Sequence, residues 1–239
     1  MEDNKVRINK YLAEAGICSR RGADELILQG KVTINGKIAQ NGDKVGPGDD
    51  VRVSGKKASN ETEKVVLAYY KPVGVTVTEK DAHAKKTIRD VIDYPVRVTY
   101  AGRLDKDSEG LLLLTNDGDL INAMMRGSNR HEKEYVVKTD REIEQNFAEK
   151  MSAGMYLKEL KSNTRPCEVT IIGKNTFRII LTQGLNRQIR RMCENLGVKV
   201  KSLKRLRVVN VELGNLKPGE YRQVSGEELK KLYEICGMK

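Results

Sequence analysis

Residues 102–120 read GRLDKDSEGLLLLTNDGDL. Four consecutive leucines, Leu111 to Leu114, are too few for an independent helix, and they predict a buried strand. Just ahead of them Asp105 stands two residues after Arg103. A carboxylate beside a buried strand loses solvation, which raises its pKa and favours the neutral form. A neighbouring cation opposes this. A working carboxylate at this point therefore needs a fixed positive partner.

The densest positive stretch lies far along the chain. From Leu181 to Arg207 there are eight basic residues and one acid, Glu194. Within it, LTQGLNRQIRRMCENLG at 181–197 predicts a helix near 185–196, with Ile189, Met192, Cys193 and Leu196 on its apolar face. Arg187, Arg190 and Arg191 project from other sides. Spacing alone leaves two readings of Asp105: a working acid served by this segment, or a turn residue with Asp107 and Ser108 as ordinary loop polars. The arginine helix, equally, reads as a solvated face or a phosphate clamp.

The first quarter of the chain reads as a compact unit. Ile8, Tyr11, Leu12 and Ala15 fall on one helical face, and Gly16 suits the end of that helix. A second helix is expected from the Ser19 cap to Gly30. Asn35-Gly36, flanked by Val32, Ile34 and Ile38, signals a hairpin whose turn needs positive φ at both centres. The pattern SRRGADELILQGKVTINGK resembles the S4 RNA-binding domain. That resemblance implies a basic face of Arg20, Arg21, Lys31 and Lys37 that grips RNA phosphates, with folded RNA read largely by shape. KKASNETEK at 56–64 has little apolar content and reads as a flexible tether. Two bodies on a tether engage one RNA with raised avidity. The expected boundaries are 1–57 for the S4-like domain, 58–64 for the linker and 65–239 for a larger domain.

In the larger domain, strands are expected at VVLAYY, LLLLT, EYVVKT, CEVTIIG, TFRIIL, VKVKSLKR and VVNVEL. Helices are expected near 119–126, 142–152, 185–196 and 226–236, the last with a capping-box spacing of Ser225 and Glu228. The order is not a regular βαβ alternation, so the fold class is α+β with a mixed or antiparallel sheet.

Composition narrows the partner. With 44 basic and 33 acidic side chains the formal net charge is +11, which favours a polyanion, nucleic acid first. Cys18, Cys167, Cys193 and Cys236 are scattered without a C-x-x-C pair. With only His83 and His131 beside them, no metal site is expected. Reduced thiols, short hydrophobic segments and an N-terminus without a signal-peptide core fit a cytoplasmic protein with no membrane partner. No G-x-G-x-x-G follows a strand and no P-loop is present, so no cofactor is expected.

Three motifs in order decide between the readings. G-R-L-D-x-x-S-x-G-L-L-L-x-T-N-D-G at 102–118 resembles the central motif of pseudouridine synthases; YYKPVG at 69–74 resembles their first, and QGLNRQIRRM at 183–192 their third. With the S4-like unit and HEKEY at 131–135, the chain is similar to the RsuA/RluB/RluE/RluF branch, most of all its RluF subgroup. The resemblance implies a pseudouridine synthase fold, with a mixed, mostly antiparallel sheet flanked by helices. It implies Asp105 as the catalytic aspartate and Arg190 as the basic residue that pairs with it. Tyr135 would stack on the everted uracil, and Arg103 would expel the target nucleotide or fill its vacancy. Arg187 and Arg191 would contact RNA. Lys71, Pro72, Gly102, Leu104, Gly110 and Gln188 would serve as motif residues of structural use. The implied substrate is large-subunit ribosomal RNA, with transfer RNA as a second, and the implied state is a monomer. The competing class is a non-catalytic RNA-binding or ribosome-assembly factor, which has no need of the acid in GRLD. A ribosomal RNA methyltransferase is a weaker third, since no glycine-rich methyl-donor site stands out.

Overall fold

A computed structural model describes residues 5–59, 63–78 and 87–238. Two compact units emerge. One holds the residues up to Val65 together with Tyr94–Thr99 and Asn116–Gly118; the other holds the remainder. His83, the loop at 79–86 and the middle of the expected tether, 60–62, lie outside the described residues.

In the first unit, helices Ile8–Glu14 and Arg20–Leu28 precede a small sheet. Ser19 caps the second helix by accepting from the Gly22 amide at 3.0 Å. Asn35 and Gly36 both take positive φ, 52° and 78°, and turn strand Val32–Ile34 into Lys37–Ile38. Ile8, Leu12, Ala23, Ile27, Val32, Val45 and Val51 make the core. The expected tether starts later than its composition suggested. Lys56–Lys57 is a strand paired with Val51–Val53, and Ala58 is buried. Polar composition hid this because a two-residue edge strand needs no apolar side chains of its own.

The second unit is built on a mixed sheet. Its spatial order is Glu168–Gly173, Thr176–Leu181, Lys133–Thr139, Val200–Val208, Glu109–Thr115, Val66–Lys71, Tyr221–Gln223, with Thr99–Ala101 and Val211–Glu212 attached. Along this path the pairing of Val200–Val208 with Glu109–Thr115 is parallel and the others are antiparallel. The leucine run is buried on both faces: Leu111 and Leu113 join a cluster with Leu120, Met124 and Leu232 of the flanking helices, while Leu112 and Leu114 are buried as well. The parallel pairing needs Gly110. Its φ is +105°, and a β-carbon there would strike the Arg205 backbone.

Two local expectations are corrected. VVNVEL is not one strand: Val209 takes φ 56°, held by its amide bond to the Glu132 carbonyl, and the chain doubles back so that Val208 pairs with Val211. Ser225 does cap the last helix, Gly226–Ile235, but its side chain makes no capping bond, and the Glu228 carboxylate that would complete a capping box is taken by the Arg222 guanidinium at 2.6 and 2.8 Å. A charged fork outcompetes the backbone amide as partner for that carboxylate. Among the described residues no helix is long and apolar enough to cross a membrane.

Candidate active site

Arg103, Leu104 and Asp105 enter the site on a turn between strands Thr99–Ala101 and Glu109–Thr115. Gly102 starts the turn at φ +80°. Leu104 is buried as an anchor, so the flanking Arg103 stays exposed and Asp105 stays partly so, its side chain 37% accessible. The Ser108 amide closes the turn on the Asp105 carbonyl at 3.1 Å.

Asp105 opens on a cavity of about 440 Å³ lined by Arg103, Lys106, Lys133, Arg187, Arg190 and Arg205, with Tyr135 and His131 among the neutral groups and Leu181, Ile189, Leu203 and Val208 among the apolar ones. The size falls in the range of about 300–1,000 Å³ usual for small-molecule pockets. Among its described lining residues Asp105 is the sole acid. The sheet register explains the rest. Lys133 and Tyr135 alternate onto one face of their strand, and Tyr135 stands opposite Arg205. A bulge beside Tyr135 sends Arg207 to the other face, where Glu132 and Glu134 hold it at 2.9 and 3.1 Å.

The arginine helix begins at Gln188, and Arg187 is its cap in the left-handed conformation, φ 50° and ψ 34°. Gln188, almost fully buried, accepts from the Leu185 amide at 3.0 Å and shapes the turn that delivers Arg187. Here the expected pairing is corrected. Among the described residues the cation within ion-pair distance of Asp105 is Arg187, at 3.7 Å, and not Arg190. Arg187 also forks onto Asp107 at 3.0 and 2.9 Å. Arg190, buried, donates to the Asp107 carbonyl at 2.9 Å and the Ser108 hydroxyl at 3.1 Å, and its Nε lies 3.3 Å from the Asp107 carboxylate without donating to it. The geometric reason is the helix start: Arg187 sits at the end of the turn, over the cavity mouth, while Arg190 lies one turn deeper against the loop backbone. The Arg187 fork holds the Asp107 carboxyl below its ordinary value and raises Arg187 in return.

Behind the loop, Arg205 donates to the carbonyls of Leu111 at 2.6 Å and Arg103 at 3.3 Å, bracing both ends of the segment that carries Asp105. Lys71 is fully buried and bonds the Pro72 and Val75 carbonyls at 2.8 and 3.0 Å; burial, aided by the Arg205 charge, pushes its ammonium down to about 8. Burial likewise lowers Lys133 and His131. Of the remaining expected RNA contacts, Arg20, Arg21, Lys31 and Lys37 are exposed on the first unit, whereas Arg191 is tied to Asn186 and to Glu159.

The chain and its fold have known counterparts. Residues 65–195 match the family model described as RNA pseudouridylate synthase, and residues 6–51 match the S4 domain. The chain belongs to the RNA pseudouridylate synthase family, carries an N-terminal S4 domain and is an enzyme of that class. It is 48% identical over 237 residues to the dual-specificity RNA pseudouridine synthase RluF of Escherichia coli strain K12, covering 98% of this chain and 81% of that one. It is 36% identical to an RNA pseudouridine synthase of Aquifex aeolicus, covering 98% and 96%. A crystal structure of a pseudouridylate synthase superposes with a TM-score of 0.71 at 29% identity, covering 95% of this chain and 99% of that one. These matches place the chain with the RluF subgroup of the RsuA-type enzymes.

Sequence reasoning missed Arg187 as the partner of Asp105, read Asp107 only as an ordinary loop polar, and missed Arg205 altogether. The three-residue spacing of Arg187 and Arg190 showed that both reach one helix face, but which one is nearer depends on where the helix starts. Alternation alone puts Arg205 and Arg207 on one face of their strand, and only the bulge beside Tyr135 separates them, so the sequence carried no signal for it.

Proposed function

We propose that the chain isomerises a particular uridine of large-subunit ribosomal RNA, with transfer RNA as a second substrate, acting as a monomer in the cytoplasm and without a cofactor. The observation that carries the chemistry is the cavity, which gathers Asp105, Tyr135 and Arg187 around a nucleoside-sized space. The two RNA classes rest on the likeness to RluF-type relatives, whose name states dual specificity.

The reaction breaks the N1–C1′ bond of uridine, turns the base and joins C5 to C1′. The C5 proton is lost and N1 gains one, so oxidation state and atom count balance without a co-reactant. The target base must first leave its stack at a cost of a few kcal/mol. Tyr135 offsets this by stacking, worth about 1–3 kcal/mol per base. Arg103, exposed at the mouth, fills the vacated place in the RNA. Asp105 then attacks C1′ or C6, or takes a proton from C2′. Each route needs an ionised carboxylate with a free lone pair beside the reacting atoms. Arg187 faces the carboxylate at 3.7 Å and forms no hydrogen bond to it, which leaves its lone pairs free. Arg190 braces the loop backbone, and the S4 basic face holds the RNA.

Mapping pseudouridines in RNA from cells with and without the protein tests the substrate assignment. Loss of a defined position in large-subunit ribosomal RNA is expected; an unchanged large-subunit pattern overturns it.

A further inference from the structure

Asp107 has no part in the chemistry above, yet it holds the arginine that faces the catalytic acid. Its carboxylate takes both terminal nitrogens of Arg187, at 3.0 and 2.9 Å, while the same guanidinium stands 3.7 Å from Asp105, too far to donate a hydrogen bond. Arg190 fixes Asp107 from the other side, bonding its carbonyl and lying 3.3 Å from its carboxylate. Arg187 is itself held in left-handed backbone, a conformation that a non-glycine residue keeps only where surroundings enforce it.

We propose that Asp107 is a positioning residue: by engaging the Arg187 fork it keeps that guanidinium off the Asp105 oxygens, so that Asp105 feels the charge and retains free lone pairs for the nucleotide. The inference rests on the reading of Asp105 as the catalytic acid. Two carboxylates compete for one fork, and a fork prefers a bidentate match. Remove the Asp107 acceptor and Arg187 is released to close on Asp105, two residues away. That closure blocks the oxygens and holds the carboxylate ionised to lower pH. The other charges facing Asp105 are Arg103 and Lys106 of its own loop, Arg190 of the helix, Lys133 and Arg205 of the sheet, and, behind, Lys71. Changing Asp107 leaves Arg103, Lys106, Lys133 and Arg205 as they are, and it takes one carboxylate charge away from Arg190 and Lys71.

Asp107→Asn keeps shape while breaking the fork, since the amide oxygen accepts but the amide nitrogen cannot. The measurements are kcat and KM across pH with an RNA substrate, alongside thermal unfolding, with Asp107→Ala as a second variant. The expected result is a loss of about 10- to 100-fold in kcat with KM within about threefold, and an acidic limb of kcat displaced to lower pH. In an Arg187→Lys background, read by single turnover at excess enzyme, the same change costs less than about twofold, because the effect runs through the fork. A merely structural Asp107 lowers the unfolding temperature and costs kcat equally in the wild-type and Arg187→Lys backgrounds. An unmoved limb, one displaced to higher pH, or an equal loss in both backgrounds overturns the proposal. A wild-type protein that forms no pseudouridine refutes the functional reading instead.

Discussion

Asp105 and Asp107 sit two residues apart and meet the arginines of one helix in different ways. Arg187 touches both carboxylates, whereas Arg190 spends its donors on backbone and on Ser108. The two arginines should therefore fail differently. If Asp105 is the reacting carboxylate, Arg187→Ala removes the cation facing it and should lower kcat by about 10²-fold or more, the scale of other lost active-site donors, with little change in melting temperature. Arg190→Ala leaves the Asp107 carbonyl and the Ser108 hydroxyl short of a buried partner and should cost about 1–3 kcal/mol of stability. Parallel kcat and thermal-unfolding measurements on both variants check this, and interchanged phenotypes would refute it. At this scale the position beside the leucine run left Asp105 open between a working acid and a turn residue, and it was the GRLD motif that singled it out. Its partner was not legible, because helix spacing orders Arg187 and Arg190 along an axis without saying where that axis points.

Among the elements, the parallel pairing of Glu109–Thr115 with Val200–Val208 joins the strand after the Asp105 loop to the strand that carries Arg205. Gly110 permits the approach. Gly110→Ala places a methyl group against the Arg205 backbone at a φ of +105° and should destabilise the protein by about 3 kcal/mol or more, read as a lower denaturation midpoint with activity lost in proportion to folded protein. A midpoint equal to wild type would contradict the packing. Most strands of this sheet were legible because alternating or continuous apolar runs mark them. Thr99–Ala101 and Tyr221–Gln223 were not, since three-residue edge strands leave almost no period to read. The split in VVNVEL was hidden for a related reason. Its turn places a valine in left-handed backbone, which local preference opposes and the Glu132 carbonyl enforces from a distance.

In the whole molecule, excess positive charge finds two uses. Arg20, Arg21, Lys31 and Lys37 lie exposed on the S4 unit, and six basic residues of the second unit line a cavity whose described lining has one acid. The S4 unit was readable from its helix, glycine stop and Asn-Gly hairpin; the cavity was not, because it draws on residues from Thr76 to Val209 that only the sheet order brings together. If the S4 face binds phosphates, replacing those four residues by alanine should flatten the slope of log affinity against log salt by about 3, at roughly 0.7–0.9 per lost contact, while kcat at saturating RNA persists. An unchanged slope would remove the S4 face from RNA binding. The account as a whole turns on Asp105, and release of tritium from RNA labelled at uridine C5 tests it most directly. Wild-type protein is expected to release tritium with turnover, and Asp105→Asn to release none while binding the same RNA; full release by Asp105→Asn would contradict the assignment of the chemistry to this carboxylate.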